Sequence, residues 1–324
     1  MTRAVPWRTA WDDALYGPGG FYRRGAAPAA HFRTSVHASA LFAQAVLRLV
    51  RLAGLDTVVD VGAGGGELLI GLATLAPDLA LYGVDLGPRP PDVPAAVHWT
   101  DTVPRVEGLL LANEWLDNVP CDVVERTPDG LRQVLVDQLT GDESLGGPPA
   151  AENAAWLERW WLLEEPGQRA EVGRTRDAAW ADAVGRVGRG LAIAIDYGHG
   201  RDSRPLEGTL IGYRNGRAVR PVPDGSCDIT AHVALDACAS AAPGSLVVTQ
   251  RTALRALGVG GQRPPYERAA IDPAGYVTAL QDSSQAGELT DPGGLGGFGW
   301  LVQPIGLPMP KVFTTAPGAS AARG

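Results

Sequence analysis

From residue 57 onward, short β-branched runs alternate with longer segments whose apolar residues recur at helical spacing. Thr57–Val61, Leu79–Val84, Ala96–Trp99 and Gly108–Ala112 read as strands, with a helix over Glu67–Ala76. Upstream, Leu41, Phe42, Ala45, Val46, Leu49 and Val50 share one face of a helix predicted over His37–Leu52, with Thr34 or Ser35 as its N-cap. Downstream, the fully apolar Leu191–Ile195 reads as a strand, and further strands are predicted at Leu246–Thr249 and Trp300–Pro304 around a helix at Arg251–Leu257. This rhythm predicts an α/β fold: a doubly wound, mostly parallel, Rossmann-like sheet covered by helices on both faces.

Some segments depart from that rhythm. Cys121–Arg126 and Leu131–Asp137 read as a hairpin around Pro128–Gly130, and Thr209–Tyr213 and Arg217–Val222 as a second hairpin turning at Asn215-Gly216. Glu152–Val187 is predicted helical, with Trp156, Trp160 and Trp161 in it and a break near Pro166–Gly167. The domain reading follows. Residues 1–56 form an N-terminal cap and lead-in helix, 57–140 a nucleotide-binding core, and 141–187 a helical insertion. Residues 188–315 complete the sheet, with a hairpin insertion, and 316–324 form a disordered tail.

Composition narrows the chemistry. The 324 residues carry a net charge of −8, which argues against a nucleic-acid partner because phosphates would be repelled. No stretch approaches 18 uninterrupted apolar residues, so no membrane partner is expected. Cys121, Cys227 and Cys238 are odd in number and widely spaced, which predicts a reducing compartment, the cytoplasm. The five histidines show no ligand spacing, and no metal is expected.

The most specific signal is Val58-Val59-Asp60-Val61-Gly62-Ala63-Gly64-Gly65-Gly66, a strand running into glycines that open a helix. A dinucleotide fingerprint counted from Gly62 or Gly64 needs a small residue at position 67 or 69, where Glu67 and Leu69 stand. A nicotinamide dehydrogenase is thereby disfavoured. The fit is acidic-x-G-x-G-x-G, through Asp60, Gly62, Gly64 and Gly66, the pattern of class I methyltransferases that bind S-adenosylmethionine. Asp60 suits the positively charged methionine portion of that cofactor, and Asp85 at the second strand's end suits its ribose hydroxyls. Asp101 is a candidate acceptor from the adenine amino group, and Asn113 is counted with the cofactor-binding residues.

The loop Asn113-Glu114-Trp115-Leu116-Asp117-Asn118-Val119-Pro120 leaves a buried strand at the edge where such sheets bind ligands. Methyl transfer needs an aligned nucleophile more than a strong acid. For a guanidinium or amine acceptor, Glu114 and Asp117 would orient the nitrogen and take its proton, with Glu125 nearby. Asp196-Tyr197-Gly198-His199 ends another strand on the same edge. Tyr197 is expected to pack on the acceptor and His199 to shuttle a proton.

These residues resemble the MidA-like methyltransferases, whose mitochondrial members assist assembly of respiratory complex I. The family's "LYdPxxGYY" is similar to Leu15–Tyr22, its "GDFxTSPExS" more loosely to His31–Ser39, and its "NEFFDxLPV" to Asn113–Pro120. "DYGH", "TLRxY" and "DLTAHV" resemble Asp196–His199, Thr209–Tyr213 and Asp228–Val233. The likeness runs in order from about residue 11 to 258. It implies a class I fold, S-adenosylmethionine as cofactor and a protein arginine as methyl acceptor. Two departures stand out. Gly65 replaces the arginine of "ELGPGRG", and Ser35-Val36-His37 replaces "SPE". They motivate the alternative of a non-catalytic assembly or scaffolding protein that keeps the fold.

Overall fold

The computed structural model describes residues 4–23, 35, 40–315 and 320–321. The predicted N-cap at Thr34, the helix start at His37, and most of the predicted tail lie outside them. The main sheet is built from β1 (Thr57–Val61), β2 (Ala80–Val84), β3 (His98–Thr100), β4 (Val106–Asn113), β5 (Val187–Asp196), β6 (Leu246–Thr249) and β7 (Gly299–Ile305). Their spatial order is β3-β2-β1-β4-β5-β7-β6, with the short strand Ser320–Ala321 on the edge of β6. Every pairing from β3 to β5 is parallel, β7 runs antiparallel between β5 and β6, and Ser320–Ala321 pairs antiparallel with β6. The fold is therefore the doubly wound α/β class expected.

The central strands are buried on both faces, which is why they read as continuous apolar runs. Leu109, Leu111, Leu191, Ile193, Trp300 and Val302 point to one face. There they meet α2 (Ala40–Leu52) and α3 (Glu67–Leu75). Leu110, Ala112, Ala192, Ala194 and Leu301 point to the other, against Trp180, Ala183 and Val184 of α5 (Arg174–Val184).

A second, antiparallel sheet stands beside the first, built on Asp122–Thr127, Gly130–Val136 and Arg169–Val172 with the short strands Val5–Pro6 and Glu143–Leu145. Its inner face packs on α1 (Trp7–Tyr16), which buries Trp7, Ala10, Trp11, Ala14 and Leu15. Its outer face packs on α4 (Ala151–Trp160) and the three tryptophans Trp156, Trp160 and Trp161. Two expectations are corrected here. The segment 152–187 is not helical throughout, because Arg169–Val172 pairs with Asp122–Glu125 and buries Ala170 and Val172. Non-local pairing has overridden local helical preference. The start of the segment 141–187, read as a helical insertion, likewise contains the strand Glu143–Leu145, paired with Val134–Val136.

The second hairpin forms as expected, with Arg214 opposite Arg217 and both Asn215 (φ 52°) and Gly216 (φ 73°) left-handed. A third strand, Asp228–Thr230, pairs with it and carries side chains back toward the carboxyl edge of the main sheet.

Candidate functional site

β1, β2, β4 and β5 end together, and the candidate site is the edge they form. Register sets Val61 level with Val84 and Ala112, and Ile195 level with Asn113. After β1 the chain turns through three left-handed glycines, Gly62 (φ 71°), Gly64 (φ 53°) and Gly66 (φ 76°), the same three that the sequence spacing singled out. A Cβ on Gly62 would strike Trp115, and one on Gly66 would strike Val93, whereas one on Gly64 would meet nothing within 4 Å. The turn is thus packed on two sides and open at Gly64, as a ligand cradle must be.

Asp60 lies buried in β1, and burial, with Glu67 and Asp85 nearby, pushes its carboxyl up to about 8. A cation brought to it would draw it back to the charged form. Asp85 accepts from Gly64 N (2.9 Å) and Gly87 N (2.7 Å), one bond to each oxygen. Each oxygen keeps a lone pair for a further donor. Asp101 lies exposed just past β3.

At the end of β4, Asn113 is buried, gives its amide N–H to Glu114 (3.2 Å), and leaves Oδ1 without a partner. Glu114 adopts φ 52°, a costly conformation for a residue with a Cβ, held by its N–H bond to Ile195 O (2.8 Å). Its Oε1 also accepts from Ser35 N (3.4 Å), and burial followed by repulsion from Asp117 pushes its pKa up to about 8.

Asp117 is buried under the same edge. Its Oδ2 accepts from Thr230 Oγ1 (2.7 Å) and from the Tyr197 hydroxyl, while Oδ1 has no partner. Asp196 closes β5. Its Oδ2 accepts from Leu116 N (3.0 Å) and Asp117 N (3.1 Å), and its Oδ1 is likewise unpartnered. Burial raises both acids, and each disfavours ionisation of the other.

Beyond them, Asn118 Nδ2 donates to Asp228 (3.0 Å), and the Tyr22 hydroxyl reaches both Asn118 Oδ1 (3.0 Å) and Asp228 (3.1 Å). Tyr16 stacks on Tyr22 at 5.7 Å and donates to Asn118 O (3.2 Å). The N-terminal segment thereby becomes one wall of the site.

Two sequence candidates fall elsewhere. Glu125 lies in the second sheet beside Arg169 (4.0 Å), not at this edge. His199 packs edge-on to Trp161 at 4.5 Å, with Arg204 on Nδ1 at 2.7 Å. Burial and that guanidinium lower its pKa to about 3, so it holds a proton too weakly to shuttle one. Tyr197 is at the edge, but its ring packs on His232 and Phe298 and its hydroxyl is engaged with Asp117. Asp196, Asn118, Asp228 and Thr230 were not singled out as site residues. The only signal for the acids was their place in "DYGH"-like and "DLTAHV"-like segments.

Hollows elsewhere contain none of these orphaned atoms. One of about 890 Å³ lies among Arg251, Arg255, Glu288 and Thr290–Pro292, and one of about 380 Å³ lies around Glu171 and Arg220. No helix among the described residues is long and apolar enough to cross a membrane.

The strand order, the antiparallel β7 and the open glycine turn after β1 together define a class I methyltransferase. The profile of a family described as "Putative S-adenosyl-L-methionine-dependent methyltransferase" matches residues 72–251, more than half of the chain. The chain belongs to this family, and its methyl donor is S-adenosylmethionine. The turn fits that donor: it is open at Gly64, the buried Asp60 stands ready for a cation, and the half-buried Asp85 for hydroxyl donors.

Among solved structures, the chain is similar to a protein of Burkholderia thailandensis crystallised with S-adenosyl-homocysteine, at 27% identity and a TM-score of 0.80. That match covers 97% of this chain and 91% of the other. A native crystal structure of a protein from the same organism is similar at 26% identity and a TM-score of 0.79, with 97% and 91% covered. No curated protein matches the chain.

Proposed function

We propose that the enzyme methylates a nitrogen of a protein side chain, a guanidinium in keeping with the MidA-like resemblance, and that it works in the cytoplasm. One observation carries the reading: Asp117 Oδ1 and Asp196 Oδ1 are buried without partners beside Glu114. Unpaired buried acceptors are costly, and only a donor-rich group satisfies several at once. A guanidinium offers five N–H donors in a planar fork.

In this reading Asp60, the glycine turn, Asp85, Asp101 and Asn113 hold the donor, which supplies a methyl carbon made electrophilic by its sulfonium. Glu114 and Asp117 bind the acceptor N–H groups and aim a nitrogen lone pair at that carbon. The N–C bond forms as the S–C bond breaks, and the proton shed by nitrogen passes to Glu114, which the positive charges of the bound donor and acceptor hold ionised until that step. A carboxylate whose proton affinity is raised by burial is a better acceptor than one in water.

The test supplies methyl-labelled S-adenosylmethionine to the protein and a lysate, followed by hydrolysis and amino-acid separation. Label in methylarginine is the expected result. Label confined to a small molecule, or to another amino acid, overturns the acceptor assignment.

A further inference from the structure

The acidic edge rests on one buried cation that methyl transfer does not itself use. Arg176, near the start of α5, is 1% exposed. Its Nε donates to Val119 O (3.1 Å), its Nη1 to His232 O (2.8 Å) and its Nη2 to Asp117 O (2.6 Å). Its plane lies near the Trp11 ring at 5.6 Å. The guanidinium therefore ties the loop after β4 to the segment after Asp228–Thr230, and lies beside the N-terminal helix.

The carbonyls satisfy its hydrogen bonds but not its charge. A buried cation without an opposite charge nearby is strongly disfavoured. No carboxylate oxygen lies within 4 Å of it among the described residues. The titratable groups in its field are the Cys121 thiol first, then Asp117, Asp196 and Glu171.

We propose that Arg176 is a positioning residue for methyl transfer: it fixes the carbonyl side of the Asp117 loop and supplies the fixed positive charge that lets the Asp117–Asp196 pair carry a negative charge. The acid pair sits in a crowded setting. Tyr197 and Thr230 donate to Asp117, Glu114 and Asp228 repel it, and Glu114 also repels Asp196. Arg176 is the cation that offsets those repulsions, and its field lowers the proton affinity of both acids. A neutral residue there would leave the pair protonated and unable to grip a cationic acceptor.

The role rests on the acceptor reading above, but its test does not need the acceptor. Infrared spectroscopy of the full chain with S-adenosylhomocysteine bound follows the carbonyl stretch of protonated carboxyl groups through a pH titration. Arg176→Met is expected to move the buried-acid midpoint up by about one pH unit or more. Arg176→Lys keeps the charge and should stay within a few tenths of a unit. Both should bind S-adenosylhomocysteine within about threefold of wild type.

An unmoved midpoint in folded Arg176→Met overturns the proposal. Failure of both variants to fold also overturns it, because Arg176 would then be scaffold alone. Failure of wild type to label arginine would sink the acceptor reading and leave the infrared result standing.

Discussion

At the scale of single residues, Glu114 combines a left-handed backbone, half-burial and a proton affinity raised to about 8. Strain of this kind persists only where its surroundings enforce it. Glu114→Gln keeps the shape and removes the charge and the proton acceptor. It should lower methyl transfer by roughly 10²-fold or more while calorimetric binding of S-adenosylhomocysteine stays within a few-fold. Equal loss of both would instead make Glu114 a donor-binding or folding residue. Gly64 makes a separate case. At φ 53° a side chain costs about 1–2 kcal/mol, and valine would project into the open side of the turn. Gly64→Val should therefore weaken S-adenosylhomocysteine at least tenfold, and unchanged affinity by calorimetry would refute the cradle.

At the scale of elements, β4 and β5 matter most, since they carry Asn113 and Asp196 to the same edge. Their approach leaves no room near Gly190 (φ 153°), where an added Cβ would overlap Gly108 O. Gly190→Ala should force the strands apart and destabilise the protein by about 1–3 kcal/mol, read as a lower urea midpoint. A midpoint within error of wild type would mean that the sheet tolerates the separation.

The elements also show what local pattern reveals. The strands of the main sheet and the Asn215-Gly216 hairpin were legible, because apolar runs and left-handed residue types fix them within a few positions. The helix Trp7–Tyr16 was not read from the sequence, because the polar composition of that segment masked the helical spacing of its apolar positions 7, 10, 11, 14 and 15. Arg169–Val172 was not legible, because only pairing with Asp122–Glu125 makes it a strand.

At the scale of the whole molecule, several acids shielded wholly or in part from water make folding and binding pH-dependent. Asp60, Glu114 and Asp228 hold protons up to about 8 in the folded state. In the unfolded chain such groups release theirs near pH 4, roughly. The folded protein thus binds more protons between those limits, and stability falls as pH rises through that window. His199 acts oppositely: its folded pKa of about 3 gives stability that is full above about 6.5 and lost as pH falls.

Above neutrality the acids contribute slope, and the Cys121, Cys227 and Cys238 thiols, raised by burial, add slope of the same sign, so the ligand-free melting temperature should be lower at pH 8.5 than at pH 7. Binding the cationic donor favours ionised Asp60, and calorimetry at pH 7 in buffers of different ionisation enthalpy should detect proton release. Proton uptake would place the donor's cationic end away from Asp60.

The sequence alone determined the class of protein, because a turn built on alternate glycines after a strand is a local demand on φ that few residue types meet. It also marked the Asn113–Pro120 loop, since a polar run after a buried strand exposes itself by contrast. Only the tertiary structure decided which acids share the edge. Asp117 meets Thr230 across 113 positions of chain and Asn118 meets Asp228 across 110. Such pairs are made by strand register and packing, which also took His199 to the tryptophans and Glu125 to the second sheet. Spacing along a chain carries little information about contacts that a fold creates between distant segments.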